Sequence, residues 1–183
     1  MALFVIITPM NIEVRKAVKK DFSALAKVLS EATLHKSKYG DFLWGTQPYA
    51  TEEIEKKYQN GNLYTVLLDG NIVGTVTITE SDKRVWGDSG SDEALYIHGL
   101  ATSDEVRGQG VGSRVIEWVV HKAEKEGRRA VRLDCGYSNQ PLCDYYKKEG
   151  FKEQRRLDIP RKSSARDLRD PIYKVALFQR SLS

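Results

Sequence analysis

The sequence predicts an α/β protein with a mixed, mainly antiparallel central sheet flanked by helices. Three observations support this class. Short β-type runs and amphipathic helical segments follow one another in the order βα(α)βββαβαββ. Three consecutive β-runs follow the second predicted helix, and the turn Asp69-Gly70-Asn71 favours an antiparallel hairpin between two of them. The β-runs of the second half are separated by helices, which favours crossover connections.

The length of 183 residues allows one hydrophobic core. We interpret residues 10–183 as a single domain, because a segment with the pattern of a domain start opens at Met10. Residues 1–9 are interpreted as an N-terminal extension of open status. Their apolar run is too short to span a bilayer and lacks the basic flank of a signal peptide.

Charge and cysteine content exclude several classes. The net charge of +4 is mild, and the chain has no recognisable nucleic-acid recognition motif. Cys135 and Cys143 form neither a disulfide framework nor a metal-binding motif. We therefore expect no metal, no nucleic-acid partner, no membrane association and a reducing, cytoplasmic setting.

The first half of the chain predicts three strands and two helices. Alternating apolar and charged residues indicate the first strand, and Asp21 is expected to cap the first helix. Asn60-Gly61 ends the second helix. In order, the elements are a strand at Ile12–Ala17, a helix from Asp21 to about His35, a helix from Thr51 to about Gln59, and strands at Leu63–Leu68 and Ile72–Thr79.

The second half predicts strands that alternate with helices. Apolar residues at helical spacing indicate a helix from Gly110 to Glu126, and Asn139 is expected to cap another that ends at Gly150. Arg155–Asp170 is expected to form a long connection. The predicted strands are Leu95–Thr102, Ala130–Cys135, a run starting at Phe151, and Ile172–Phe178.

The run Arg107-Gly108-Gln109-Gly110-Val111-Gly112 lies at the start of a predicted helix. Glycines allow backbone N–H groups to approach a ligand closely, and the first N–H groups of a helix have no internal acceptors. The helix dipole adds partial positive charge at the same place. The run therefore predicts an anion site suited to phosphate, with Arg107 adding a positive charge at its mouth.

Two other phosphate loops fit this run less well. A Walker loop requires Lys after its last glycine, and here Ser113 follows Gly112. The dinucleotide fingerprint requires a third glycine where Ser113 stands, although Asp134 lies at about the right distance to bind a ribose. The dinucleotide alternative therefore stays open, with weaker support.

The pattern R/Q-x-x-G-x-G/A is met by Arg107, Gly110 and Gly112. Asn139 and the run Tyr145–Phe151 follow in the order N…(F/Y)Y-E-K-x-G-F. These two motifs resemble those of the GCN5-related N-acetyltransferases (GNAT), and the resemblance is specific from about Leu95 to Phe151. It implies the GNAT-like acyl-CoA N-acyltransferase fold and acetyl-CoA (coenzyme A) as cofactor.

The resemblance also implies roles for individual residues. The loop from Arg107 to Gly112, with Ser113, would hold the pyrophosphate, and Asn139 would contact the cofactor. Leu100, Ala101 and Thr102 would pair with the pantetheine arm, and a backbone N–H there, which we assign to Leu100, would polarise the thioester carbonyl. Tyr146, four residues before Gly150, would protonate the leaving thiolate and contact the cofactor.

The general base is not fixed by the resemblance. His98 is expected to share one strand face with Tyr96 and Leu100, and imidazole titrates in the useful range. Glu93 is the next candidate. A covalent acetyl-Cys135 is disfavoured, because the sequence shows no partner to activate the thiol. The expected substrate-binding residues are Trp44, Tyr96, Glu93 and Asp134.

These expectations combine into an N-acetyltransferase that moves an acetyl group to a primary amine by direct attack in a ternary complex. The expected acceptor is a small molecule, such as an amino acid, a polyamine or an aminoglycoside-like antibiotic. The alternatives are a non-catalytic CoA-binding sensor and an acetyltransferase of protein N-termini or lysines. The resemblance also allows a homodimer.

Overall fold

Seven strands form one sheet in the order β1-β2-β3-β4-β5-β7-β6. The computed structural model describes residues 11–87, 93–160 and 172–182, so the predicted extension at residues 1–9 lies outside it. The strands are β1 Ile12–Lys16, β2 Leu63–Leu68, β3 Asn71–Thr79, β4 Ala94–Thr102, β5 Ala130–Gly136, β6 Lys152–Pro160 and β7 Ile172–Ser181. The helices are α1 Phe22–Ser37, α2 Thr51–Gln59, α3 Lys83–Trp86, α4 Val111–Lys125 and α5 Gln140–Lys148.

Strand directions confirm the predicted mixed, mainly antiparallel sheet. β4 and β5 are parallel, and the other neighbouring strands among the described residues are antiparallel. The parallel pairing runs only from Ala94–Ala130 to Ile97–Leu133. Beyond that point β4 pairs with β3 and β5 pairs with β7. The two strands therefore separate at their carboxyl ends, and a gap opens inside the sheet.

Helices cover both faces of the sheet and bury separate apolar clusters. Val115, Ile116 and Val119 of α4 pack on one face, together with Tyr146 of α5. The other face carries α1 and α2, whose cluster includes Leu25, Leu29 and Ile54. The predicted flanking helices are therefore present, and α4 and α5 lie beside the gap between β4 and β5.

A bulge in β4 corrects one prediction about side-chain direction. Thr75 pairs with Ala101 and Thr77 pairs with His98, so three steps along β4 match two along β3. Gly99 adopts a φ of 57° at this point, a conformation that glycine tolerates best. Leu100 consequently packs in the same cluster as Ile97, not on the face of Tyr96 and His98 as expected.

Two smaller predictions also change. Asp21 does not cap α1; its carboxylate accepts hydrogen bonds from Arg15 and Thr65 instead. The expected long connection Arg155–Asp170 is shorter than predicted, because β6 continues to Pro160, where alternating burial suits a sheet edge. The rest of that connection lies outside the described residues.

Candidate active site

A cavity of about 720 Å³ lies at the gap between β4 and β5. Its walls come from the carboxyl ends of both strands, the starts of α4 and α5, and the end of α1 with the loop that follows it. Carboxyl ends of strands and helix N-termini present unpaired backbone groups, which suit a polar ligand. The predicted site residues among those lining it are Trp44, His98, Leu100, Ala101, Thr102, Arg107, Gly108, Gly110, Val111, Gly112, Ser113, Asp134, Asn139 and Tyr146.

The glycine run forms the turn that leads into α4. Gly108 and Gly110 have φ values of 79° and 80°, and a Cβ built on either meets nothing within 4 Å. Arg114 donates the first helical hydrogen bond, to the carbonyl of Gly110. The backbone N–H groups from Gly110 to Ser113 have no acceptor among the described residues. This arrangement is an anion cradle, because free donors, dipole and open space coincide.

Two side chains of this turn interact with neighbouring protein groups. The guanidinium of Arg107 pairs with Asp104, with Nε at 3.1 Å from the carboxylate. The side chain of Gln109 donates to the carbonyl of Glu105 and does not line the cavity. Asp104 therefore offsets much of the charge expected from Arg107, and the backbone carries the anion-binding capacity of the turn.

The side chain of Tyr145 occupies the space beside Gly112, the second residue of α4. A Cβ on Gly112 would lie 2.8 Å from the Tyr145 hydroxyl oxygen. That hydroxyl is 3.4 Å from Oγ of Ser113, which donates to Glu149 at 2.7 Å. Burial raises the pKa of Tyr145 to about 12. Gly112 is thus the residue type that allows α4 and α5 to approach each other here.

Tyr146 follows Tyr145 in α5, and its ring packs against those of Tyr145, Phe151 and Phe178. The ring is 7% exposed, and the residue lines the cavity. Burial raises the pKa of Tyr146 well above its usual value, so the phenol keeps its proton at neutral pH. A protonated phenol at the cavity wall can act as a general acid.

Asn139 joins α5 to the loop after α1. Its Oδ1 accepts from the backbone N–H of Leu142, which confirms the predicted cap. Its Nδ2 donates to Asp41 at 3.3 Å, and Asp41 forms a buried ion pair with Lys36. Both polar ends of the Asn139 side chain therefore have protein partners.

Sequence reasoning did not identify Lys36 and Asp41. Lys36 lines the cavity, and its Nζ lies 5.0 Å from the ring centre of Trp44. Asp41 is 2% exposed, and a Cβ on Gly136 would lie 2.9 Å from its carboxylate. No local pattern marks the pair, because its third partner, Asn139, is far away in the sequence.

His98 lines the cavity and has a defined hydrogen-bond pattern. The hydroxyl of Thr79 donates to the carbonyl of Ser81, so it accepts from Nε2 of His98 at 3.0 Å. This leaves Nδ1 of the neutral ring as a proton acceptor. Burial lowers the pKa of His98, partly opposed by Asp82, so the ring is neutral at pH 7.

Asp134 and Asp82 lie beside His98. The three side chains offer ligand atoms that all lie within 4.8 Å of one another. Burial, reinforced by the charge of Asp82, raises the pKa of Asp134 to about 7. Asp82 was not singled out in the sequence, because it lies in a polar connection four residues before Trp86.

Two residues expected to bind substrate lie elsewhere. Tyr96 is 1% exposed, packs against Trp86, and accepts a hydrogen bond from Arg132. Glu93 is exposed just before β4, near Arg129, and does not line the cavity. Glu93 precedes His98 by five residue steps along the chain, a span of roughly 16 Å in a strand. We therefore remove Tyr96 and Glu93 from the proposed site.

The family model of the acetyltransferase (GNAT) family matches residues 29–151. The chain belongs to that family.

Proteins that are similar in sequence to this chain are also named N-acetyltransferases. An uncharacterized N-acetyltransferase of Bacillus subtilis, YesJ, is 31% identical over 106 residues, which are 54% of this chain and 57% of that protein. The S-alkylcysteine N-acetyltransferase of the same organism is 23% identical over 141 residues, which are 75% of this chain and 76% of that protein. With YesJ, the match thus spans little more than half of the relative's length.

Solved structures of the family share the fold. A phosphinothricin acetyltransferase of Sinorhizobium meliloti, in complex with acetyl-CoA, aligns with a TM-score of 0.68 at 18% identity and covers 94% of this chain and 89% of that chain. A ribosomal-protein-alanine N-acetyltransferase of Brucella melitensis aligns with a TM-score of 0.67 at 15% identity and covers 93% of this chain and 99% of that chain. The predicted family and fold are therefore confirmed, and the expected activity class and cofactor agree with these comparisons.

The residues of this GNAT chain fit acetyl-CoA. The open cradle from Gly108 to Ser113 can receive a pyrophosphate. The edge of β4 that faces the gap can pair with an extended arm, since β5 leaves it free beyond Ile97. The dinucleotide alternative loses its ribose ligand, because Asp134 faces His98 and Asp82 instead.

Cys135 is placed beside the cavity but does not have the properties of a nucleophile. Its sulfur lies 3.7 Å from that of Cys143, and both thiols are free and buried. The contact with Cys143 and burial raise the pKa of Cys135, which keeps the thiol protonated. This agrees with the expectation of direct attack.

None of the helices in the described residues is long and apolar enough to cross a bilayer.

Proposed function

We propose that this protein is an acetyl-CoA-dependent N-acetyltransferase that acetylates a primary amine of a small molecule. The observation that carries the proposal is the meeting of three features in one cavity. These are the open helix N-terminus at Gly110, the free edge of β4 at Ala101, and the buried phenol of Tyr146. Each matches a separate requirement of acyl transfer from a phosphate-bearing thioester.

Binding of the cofactor rests on backbone groups. The N–H groups from Gly110 to Ser113 would hold the pyrophosphate, and the β4 edge at Leu100–Thr102 would orient the pantetheine arm. When bound, acetyl-CoA supplies the activated acetyl group as a thioester. The backbone N–H of Leu100 would stabilise negative charge on the carbonyl oxygen, an effect worth roughly 3 kcal/mol.

His98 would act as the general base. Its Nδ1 carries a free lone pair, because Nε2–H is bound to Thr79. A proton leaving the acceptor ammonium would pass to Nδ1, and the nitrogen lone pair so freed would attack the thioester carbonyl. The lowered pKa of His98 keeps the ring ready to accept that proton at neutral pH.

Tyr146 would complete the reaction as general acid. Its proton would pass to the thiolate of coenzyme A as the carbon–sulfur bond breaks. The raised pKa keeps the phenol of Tyr146 protonated, so the proton donor is present when the carbon–sulfur bond breaks. Proton transfer from the solvent or from His98 restores the phenol afterwards.

The acceptor end of the cavity supports a small molecule. We place that end at Trp44, Tyr39 and Tyr49, aromatic residues that line the cavity from the loop between α1 and α2. Aromatic faces bind alkylammonium groups, and a cavity of about 720 Å³ that also receives part of the cofactor leaves room for a small acceptor. Acetylation of protein N-termini or lysines is the competing outcome.

A cytoplasmic location and a homodimer stay predictions.

Calorimetric titration with acetyl-CoA followed by an amine screen tests this function. We expect micromolar binding of acetyl-CoA and release of free thiol with at least one class of small amine. Binding without thiol release from amines or peptides would contradict catalysis and favour the CoA sensor. Thiol release with peptides alone would contradict the small-molecule acceptor.

A further inference from the structure

We infer that Asp134 and Asp82, together with His98, form a subsite that binds the acceptor as a cation, an alkylammonium ion rather than a neutral amine. This inference rests on the proposed function and specifies the chemistry of its acceptor. The three side chains belong to three different segments: Asp82 precedes α3, His98 lies in β4 and Asp134 lies in β5.

Strand pairing brings the cluster together. Ile97 and Leu133 form the last pair between β4 and β5, so His98 and Asp134 come next, where the strands separate. Their side chains point to the face opposite that of Ile97 and Leu133, which are buried under α4. His98 and Asp134 therefore sit at the mouth of the gap, and both line the cavity.

The two carboxylates of the cluster have no direct ion pair among the described residues, although the positive charges of Lys36 and Arg84 act on Asp134 from farther away. Within the described part of the chain, no lysine or arginine nitrogen forms an ion pair with Asp134 or Asp82. One oxygen of Asp82 accepts from the backbone N–H of Val85 at 3.3 Å, and no donor in residues 11–87, 93–160 or 172–182 bonds to Asp134. Partly buried carboxylates without a donor are costly, and an incoming ammonium group would supply up to three N–H donors.

The cluster also lies close to the expected reaction centre. Asp134 is adjacent in sequence to Cys135, which lines the same cavity near Tyr146. An ammonium held by Asp134 would also lie within reach of His98, since their ligand atoms are within 4.8 Å. The subsite would thus hold the amine beside its base and at the end of the channel where the thioester is expected.

Nuclear magnetic resonance of the imidazole groups tests the subsite directly, because the chain has only three histidines. The free protein at pH 8 would be titrated with n-butylammonium chloride at constant ionic strength, with n-butanol as the neutral probe of similar shape. We expect a saturable shift of the His98 signals with n-butylammonium alone, while His121, which does not line the cavity, stays unchanged. A His98→Gln variant assigns the signal.

Variants of the two carboxylates test whether they bind the cation or only lie near it. We expect Asp134→Asn to weaken n-butylammonium binding by roughly tenfold or more, and Asp82→Asn by a smaller factor. Asp144→Asn, at an exposed carboxylate of α5, is the matched control and should leave binding unchanged. Thermal unfolding of each variant verifies the fold. An unchanged affinity in Asp134→Asn, or an equal response to n-butanol, would overturn the inference.

Two further measurements separate the remaining outcomes. Zinc chloride is added to a parallel sample, and a His98 response to zinc without a response to n-butylammonium would identify a metal site and overturn the inference. Acetyl-CoA binding is measured by calorimetry on the same sample. Acetyl-CoA binding without a His98 response rejects the cation subsite alone, whereas loss of acetyl-CoA binding rejects the proposed function itself.

Discussion

The side-chain amide of Asn139 donates a hydrogen bond of 3.3 Å to Oδ2 of Asp41, a residue 98 positions earlier in the chain. Asp41 also neutralises Lys36, which is buried beside Trp44. The loop that bounds the acceptor end and the helix that carries Tyr146 are therefore joined by one buried polar contact.

This contact predicts an asymmetric response to mutation. Asp41→Ala should destabilise the protein by about 3 kcal/mol, because it leaves the buried charge of Lys36 without a partner. The double variant Lys36→Met, Asp41→Leu removes both charges and should recover most of that loss. Urea unfolding measures both. A loss below about 1 kcal/mol in Asp41→Ala would show that the pair is fully solvated instead.

Tyr146→Phe tests the general acid. We expect kcat to fall by about a hundredfold, because the leaving thiolate loses its proton donor. Acetyl-CoA affinity should stay nearly constant, since the ring and its packing against Phe178 remain. Tyr145→Phe is the matched control at the adjacent tyrosine, whose hydroxyl contacts Ser113. If Tyr145→Phe were the more damaging change, the two roles would have to be exchanged.

A pair of glycine variants tests the anion cradle. Gly110→Ala and Gly127→Ala place a Cβ at φ values of 80° and 67°, in each case with nothing within 4 Å. Both should cost about 1 kcal/mol of stability. Only Gly110→Ala should weaken acetyl-CoA binding, because its Cβ points into the space expected for the pyrophosphate. Equal affinities in calorimetry would place the cofactor elsewhere.

Because the pKa of Asp134 is raised, we expect pH to have opposite effects on the free energy of unfolding and on acceptor binding. Its pKa rises from 3.8 to about 7 on folding, so the folded state binds the proton more tightly between these values. Stability should fall as pH rises through this window, and Asp134→Asn should raise the melting temperature at pH 8 more than at pH 4. A uniform shift at both values would contradict the assignment.

The ionisation of Asp134 should also change the kinetics of acetyl transfer to the amine. The kcat/KM for an alkylamine should rise with pH through about 7, because only ionised Asp134 binds the ammonium. The groups that face this carboxyl are Asp82, Lys36, Arg84, Asp41 and His98. In Asp134→Asn this rise should disappear, leaving the limb at lower pH that His98 produces. A profile unchanged by the substitution would exclude Asp134 from acceptor binding.

Local sequence patterns predicted the parts of the site that depend on short segments. The glycine run, the cap at Asn139 and the position of Tyr146 each depend on a few neighbouring residues. The order of strands and helices followed from hydrophobic periodicity for the same reason. The structure places all three features at one cavity.

Errors arose where the fold departs from regular alternation or joins distant segments. The bulge at Gly99 moved Leu100 away from the face of His98, and an isolated glycine within a strand was the available signal. Asp41 and Asp82 were missed, because each reaches the site through partners far away in the sequence. Glu93 was included by its position before β4, although strand length separates it from the site.

Calorimetric titration of the full chain with acetyl-CoA, with dephospho-CoA and NAD as comparison ligands, tests the central claim most directly. The cradle at the start of α4 and the free edge of β4 predict micromolar binding of acetyl-CoA and no heat from NAD. A folded sample that does not bind acetyl-CoA, or that binds NAD instead, would contradict the account.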